Sequence, residues 1–148
     1  MMKKGVIAGL MLALLALWPT APARAQVRFE SGPTDSVRQL AQEQHKLVFV
    51  DLYATWCPPC RAMERQVFSQ PEVGDFMAQH FVAAKYDVDR PTGRKLMDRY
   101  GRGAIPLYLV FDTEGTLWGK IEGASPAETF VDNLQTVIDR YRAEHPEP

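Results

Sequence analysis

Leu47-Val48-Phe49-Val50-Asp51-Leu52-Tyr53-Ala54-Thr55-Trp56-Cys57-Pro58-Pro59-Cys60 is the stretch on which the fold turns. All but one of its first seven residues are apolar or aromatic, the make-up of a central strand buried on both faces. The exception is Asp51. After Trp56 the two prolines open a helix reaching roughly Phe68, because proline is favoured in a helix's first turn and nowhere further in. Cysteines three positions apart on that helix lie about one turn apart, within the ~4.4–6.8 Å between Cα atoms that a disulfide tolerates. The pair can therefore open and close with little backbone movement, as redox cycling requires.

Two blander readings compete. A stapling disulfide over a four-residue loop would contribute only about 2 kcal/mol in the chain-entropy model, and a staple would span a longer loop. A zinc site needs four ligands, and the chain has two cysteines, with His45, His80 and His145 scattered and without ligand spacing. Redox chemistry fits the position better. Cys57 falls at the helix N-terminus, where unpaired N–H groups and the macrodipole favour a thiolate. It is expected to be the exposed nucleophile, and Cys60, one turn in, the more buried resolving thiol.

Outward from this centre, Val27 to Glu30 reads as a short strand, and Thr34 or Asp35 as the cap of a helix running to about His45, with Val37, Leu40 and Ala41 on its apolar face. Ser69-Gln70-Pro71-Glu72 and Ser125-Pro126-Ala127-Glu128 carry the capping-box spacing and predict two further helix starts. The last helix has Phe130, Leu134, Val137, Ile138 and Tyr141 on its buried stripe. Phe81 to Val88 reads as a buried strand and Thr92 to Tyr100 as a short helix. Leu107 to Phe111 and Thr116 to Ile121 form a hairpin about the turn Asp112-Thr113-Glu114-Gly115. The order β-α-β-α-α-β-α-β-β-α predicts an α/β fold, a central mixed sheet with helices on both faces, its closing hairpin supplying antiparallel edge strands.

The first 25 residues stand apart. Lys3 and Lys4 precede an apolar run from Gly5 to Trp18, and Ala23-Arg24-Ala25 follows, the layout of a secretory signal peptide. The run is shorter than the ~20 residues of a spanning helix, which argues against an uncleaved anchor. Residues 26–148 are then one domain. Removal of 1–25 takes away Lys3, Lys4 and Arg24 and no acid, leaving 14 basic against 18 acidic residues, a charge of -4. That balance, with no Lys/Arg run, excludes a nucleic-acid partner. The lysine-led start looks bacterial and predicts the periplasm, an oxidising compartment where a cysteine pair stays reduced only if something reduces it.

The segment Val50 to Cys60 resembles the active-site segment of thioredoxins, and Ile105-Pro106 at the start of a strand resembles their cis-proline loop. The likeness runs over roughly Lys46 to Tyr141. Asp51-Leu52-Tyr53-Ala54-Thr55-Trp56-Cys57, Phe68 to Val73, and Val110-Phe111-Asp112 with Gly115 are most similar to the C-terminal periplasmic domain of DsbD-type thiol–disulfide interchange proteins. Like that group, this chain has no mid-helix proline; Met63, Glu64 and Arg65 occupy the stretch. The transmembrane part of such proteins is not in this sequence, implying a free-standing relative.

The resemblance implies a thioredoxin-like fold and assigns roles. Asp51 matches the buried acid behind the active-site disulfide, which exchanges a proton with Cys60 and whose pKa burial should raise. The competing reading is a core aspartate bonded to backbone. Lys85 matches a lysine near that acid, a proton-transfer partner; a solvated lysine at a strand end is the alternative. Pro106, with a cis peptide, faces the cysteines and leaves the Ile105 backbone free to pair with an extended substrate. Trp56 lines the substrate surface, and Gly123 matches a small residue near the same groove. Neither cofactor nor metal is implied.

Direction follows from the dipeptide between the cysteines. Pro58 and Pro59 offer neither side-chain donors nor N–H groups, so the thiolate is less stabilised and the disulfide less oxidising. This predicts a reductase of protein disulfides, a monomer, with client protein disulfides as partners and a membrane thiol transporter as electron donor. An oxidase or isomerase, a dedicated electron supplier to one client, and a non-catalytic binding module on the same fold are the competing functions.

Overall fold

The computed structural model describes residues 26–146. The signal segment expected over residues 1–25 lies outside them. Strands β1 (Phe29–Glu30), β2 (Leu47–Tyr53), β3 (Phe81–Asp87), β4 (Leu107–Phe111) and β5 (Leu117–Glu122) alternate with helices α1 (Thr34–Gln44), α2 (Pro58–Gln66), α3 (Pro71–His80), α4 (Pro91–Tyr100) and α5 (Ala127–Glu144) in the expected order. They form one five-stranded sheet of order β1-β3-β2-β4-β5. β3 is parallel to β1 and β2, whereas β4 is antiparallel to β2 and β5.

The hairpin does not supply two edge strands. β4 lies inside the sheet against β2, and of the hairpin's two strands β5 alone is an edge. The five residues of β4 are all buried, which an apolar run of this length allows but does not demand.

Alternation along the strands sorts side chains into two cores. Leu47 and Phe49 of β2, with Phe81, Ala83, Tyr108 and Val110, pack under α2, α3 and α5. Val48, Val50 and Leu52, with Val82, Ala84, Leu107 and Leu109, pack under α1 and α4. The first core is strongly aromatic: Phe49 stacks on Tyr108 at 5.6 Å between ring centroids and meets Phe130 edge-on at 5.9 Å. Each such fully buried ring is worth roughly 2–3 kcal/mol of apolar burial. Asp51 shares its parity with Phe49 and so belongs to the α2 face.

The helix starts differ from expectation. Thr34 and Asp35 do not cap α1; its N-cap is Pro33, without a side-chain cap bond. Ser69 does not cap α3, whose N-cap is Gln70, and its hydroxyl donates back to the Arg65 carbonyl. Ser125 does not cap α5, whose N-cap is Pro126. In each case a proline at or beside the signal takes the helix start: Pro33 and Pro126 are the N-caps of α1 and α5, and Pro71 opens α3, where its fixed φ is already helical and its missing N–H costs nothing. α1 ends on His45 in the left-handed conformation, φ 53°, its N–H bonded to the Ala41 and Gln42 carbonyls.

Candidate redox site

β2 hands the chain to a tight turn at its C-terminal end, and Cys57 becomes the N-cap of α2 in an extended conformation. Pro58 and Pro59 fill the first helical turn and have no N–H. The first available donor is therefore Cys60, whose N–H points at Cys57 Sγ, 3.3 Å away. Arg61 braces the turn by donating to the Thr55 carbonyl at 2.9 Å. Cys57 and Cys60 form a disulfide with Cα atoms 5.3 Å apart, inside the range the spacing predicted.

The expected difference in exposure is not found. Cys57 is 2% and Cys60 4% exposed, so both are buried in this closed form. The pair packs with Ala54, and Tyr53, Val88 and Ile105 close over it. What distinguishes the thiols is position: Cys57 at the cap, Cys60 inside the helix.

Trp56 beside them is 61% exposed, and its Nε1–H donates to Asp89 Oδ2 at 2.8 Å, holding the ring at the surface rather than in a core. The Ile105–Pro106 peptide is cis. Ile105 packs against the cysteine pair, and among the described residues no backbone hydrogen bond engages its N–H or C=O. The Pro106 carbonyl accepts from Gly123 N–H at 2.9 Å. Gly123 has φ +85° with open space where a Cβ would stand, beside the same loop.

Asp51 sits between Lys85 on β3 and Tyr108 on β4 in the ladder. It is 3% exposed and its Oδ1 has no hydrogen-bond partner, unlike a core aspartate satisfied by backbone. Burial pushes its carboxyl up to about 7; Glu64 repulsion adds to this, and Lys85 pulls the other way. Lys85 is not spent on Asp51. Its Nζ pairs with Glu64 Oε1 at 2.5 Å and lies 5.2 Å from the Tyr53 ring centroid, so it acts on Asp51 across space.

Two residues escaped the sequence reading. Glu64 was visible in principle, since it follows Cys60 by four positions and so shares its helix face. Tyr108 had only its place in an apolar strand, where a hydroxyl leaves no periodic signal. Among the described residues no group of three or more His, Cys, Asp or Glu is placed to hold a metal.

A thioredoxin-like family model matches residues 33–113, more than half of the chain. Chloroplastic thioredoxin Y2 of Arabidopsis thaliana is 34% identical over 104 residues, 70% of this chain and 59% of that protein. Thiol:disulfide interchange protein DsbD of Haemophilus influenzae is 26% identical over 77% of this chain, which spans only 21% of it. Among solved structures, a thioredoxin from Thermus thermophilus superposes with a TM-score of 0.67 at 28% identity, covering 77% of this chain and 88% of that one. The oxidised C-terminal domain of Neisseria meningitidis DsbD gives 0.57 at 26% identity, covering 68% and 89%. The family model and the superpositions agree on the fold, and the chain belongs to the thioredoxin-like family, its paired cysteines forming the site of a thiol–disulfide oxidoreductase.

Proposed function

We propose that this chain is a periplasmic reductase of protein disulfides. The observation that carries the reading is the paired-cysteine centre itself: the Cys57–Cys60 disulfide at the start of α2, flanked by exposed Trp56 and the cis-proline loop, over a buried Asp51 whose Oδ1 has no hydrogen-bond partner.

In the reduced form the Cys57 thiolate attacks one sulfur of a client disulfide; a mixed disulfide forms and the other client sulfur leaves as a thiolate. Asp51 takes the proton of Cys60. The Cys60 thiolate then attacks Cys57 Sγ, releasing the second client thiol and closing the disulfide seen here. Two electrons have passed to the client. The Ile105 backbone holds the client chain extended, Trp56 supplies the apolar surface beside it, and Lys85 tunes Asp51 through its pair with Glu64. A membrane thiol transporter is the proposed donor that reopens the disulfide.

The absence of donors on Pro58 and Pro59 supports the reducing direction, nearer ~-270 mV than ~-120 mV on the scale of such proteins. The basic start, apolar run and Ala23-Arg24-Ala25 support export, as does the likeness to DsbD; the chloroplastic relative shows that the fold alone does not fix a compartment. Among the described residues no helix is long and apolar enough to cross a membrane. Equilibration with glutathione buffers tests direction, and a potential above about -160 mV overturns it in favour of an oxidase or isomerase. Insulin reduction with Cys57→Ser as control tests the chemistry. Activity that survives this substitution overturns the redox assignment to this pair, and a native protein that reduces no insulin leaves a binding module.

A further inference from the structure

Two polar atoms buried on the same face of the sheet lack hydrogen-bond partners among the described residues: Asp51 Oδ1 and the Tyr108 hydroxyl. Asp51 and Tyr108 are direct cross-strand partners in the β2–β4 ladder, which puts their Cβ atoms about 4.5–5.5 Å apart. Buried polar groups are almost always satisfied, and these two do not bond each other in this structure, so two neighbouring orphans, one an acceptor and one a donor, call for a joint account.

Packing does not account for the hydroxyl. The Tyr108 ring is fully buried, stacked on Phe49 at 5.6 Å and edge-on to Phe130 at 5.3 Å and Phe68 at 6.0 Å. A phenylalanine would make every one of these contacts. Electrostatics supplies the reason for the oxygen. Asp51 is met by Lys85 from β3, by Glu64 from α2, with Cys60 one turn earlier on the same helix, and by Tyr108 from β4. Lys85 is held by Glu64, Glu64 repels, and Cys60 gives its proton up. Tyr108 is the neutral donor across from the acid. Burial, then Asp51 and Glu64, hold its phenol above the usual tyrosine value, so it keeps its proton whenever Asp51 is charged.

We propose that Tyr108 is a positioning residue for the proton step: its hydroxyl, unbonded in this structure, turns to donate to the Asp51 carboxylate once that group is charged and so sets the pH at which Asp51 accepts a proton. The proposal rests on the reading of Asp51 given above as the base for Cys60.

A titration of the Asp51 carboxyl by 13C NMR, in the oxidised native protein and in Tyr108→Phe, tests it. Losing a donor to the charged form should raise the Asp51 midpoint by about one unit, a tenfold change in its ionisation constant. The acid limb of the insulin-reduction pH profile should move with it. A merely structural tyrosine would lower stability and leave the midpoint where it was, and that result overturns the proposal. Should Tyr108→Phe fail to fold, the native protein still answers. The Tyr108 Cζ shift must then step at the Asp51 midpoint and lose the step in Asp51→Asn; a Cζ shift without the step overturns the proposal. A moved midpoint with a reduction rate indifferent to Asp51→Asn upholds the Tyr108 contact and overturns the role of Asp51 instead.

Discussion

Replacing Asp51 with asparagine measures how strongly burial acts on the site. The unfolded chain releases the Asp51 proton near 3.8 and the folded chain near 7. Between those values folding takes up a proton, so this carboxyl costs stability progressively as the pH rises. About three units at ~1.4 kcal/mol each give roughly 4 kcal/mol, complete above about pH 7 and absent in acid. Asparagine has no such titration. It brings its own cost, about 1–3 kcal/mol for a poorly satisfied buried amide, but that cost is the same at every pH. The signal is therefore the change in the difference between the two proteins. From pH 4 to pH 8 the variant should gain about 4 kcal/mol on the native protein. Urea unfolding of both oxidised proteins at several pH values reads it, with the disulfide intact so that no thiol titrates. A difference that stays constant, or moves toward the native protein as pH rises, would mean that Asp51 is charged and satisfied in the fold.

Other substitutions probe separate parts of the site and the fold. Cys60→Ala should accumulate mixed disulfides with client proteins on non-reducing gels, and Cys57→Ala should not; equal adducts with both would reverse the assigned order of attack. Trp56→Ala should change unfolding free energy by no more than about 0.5 kcal/mol, its ring being exposed, while raising KM for protein disulfides several-fold. Asp112 has the opposite pH sign from Asp51. Burial alone would raise its carboxyl, but donors from Trp118, Thr116 and Glu114 outweigh that and hold it low. The native protein's advantage over Asp112→Asn should be full above pH 3.8 and fade as the pH falls through the lowered value, which acid-range urea unfolding would show. Gly93→Ala should cost at least about 2 kcal/mol in the same assay, since its Cβ would stand 2.1 Å from the Asp87 carbonyl oxygen.

Much of the site was legible because its signals are local. β2 runs from Leu47 to Tyr53 as the sequence pattern predicts, since an apolar run broken by a single acid fits little besides a central strand. The cysteine spacing fixed the closing distance, and the Ile105–Pro106 likeness found the cis peptide. What failed depends on neighbours distant in sequence. The cysteine pair is packed against by Val88 and Ile105, which no local pattern places beside it. The interior position of β4 is a choice of pairing partner, and a buried apolar strand would serve at either place. Glu64 and Tyr108 matter only because helix and strand bring them to Asp51. The cap errors are different in kind: two local signals overlapped, and proline outranked serine.

The alternation of β2 makes the redox site a matter of counting. Asp51 faces α2 because an even number of positions separates it from Leu47 and Phe49, while Val48 and Val50 face α1 and α4. Deleting or inserting one residue early in the strand, with pairing to β3 and β4 held, would turn the acid to the far side of the sheet. Composition, cysteines and fold would all survive, and the proton acceptor would be gone. A change of two residues would return it. Length variants in this strand should therefore be tolerated in pairs and rejected singly, so the spacing from Leu47 to Cys57 is as much a part of the site as the residues at either end.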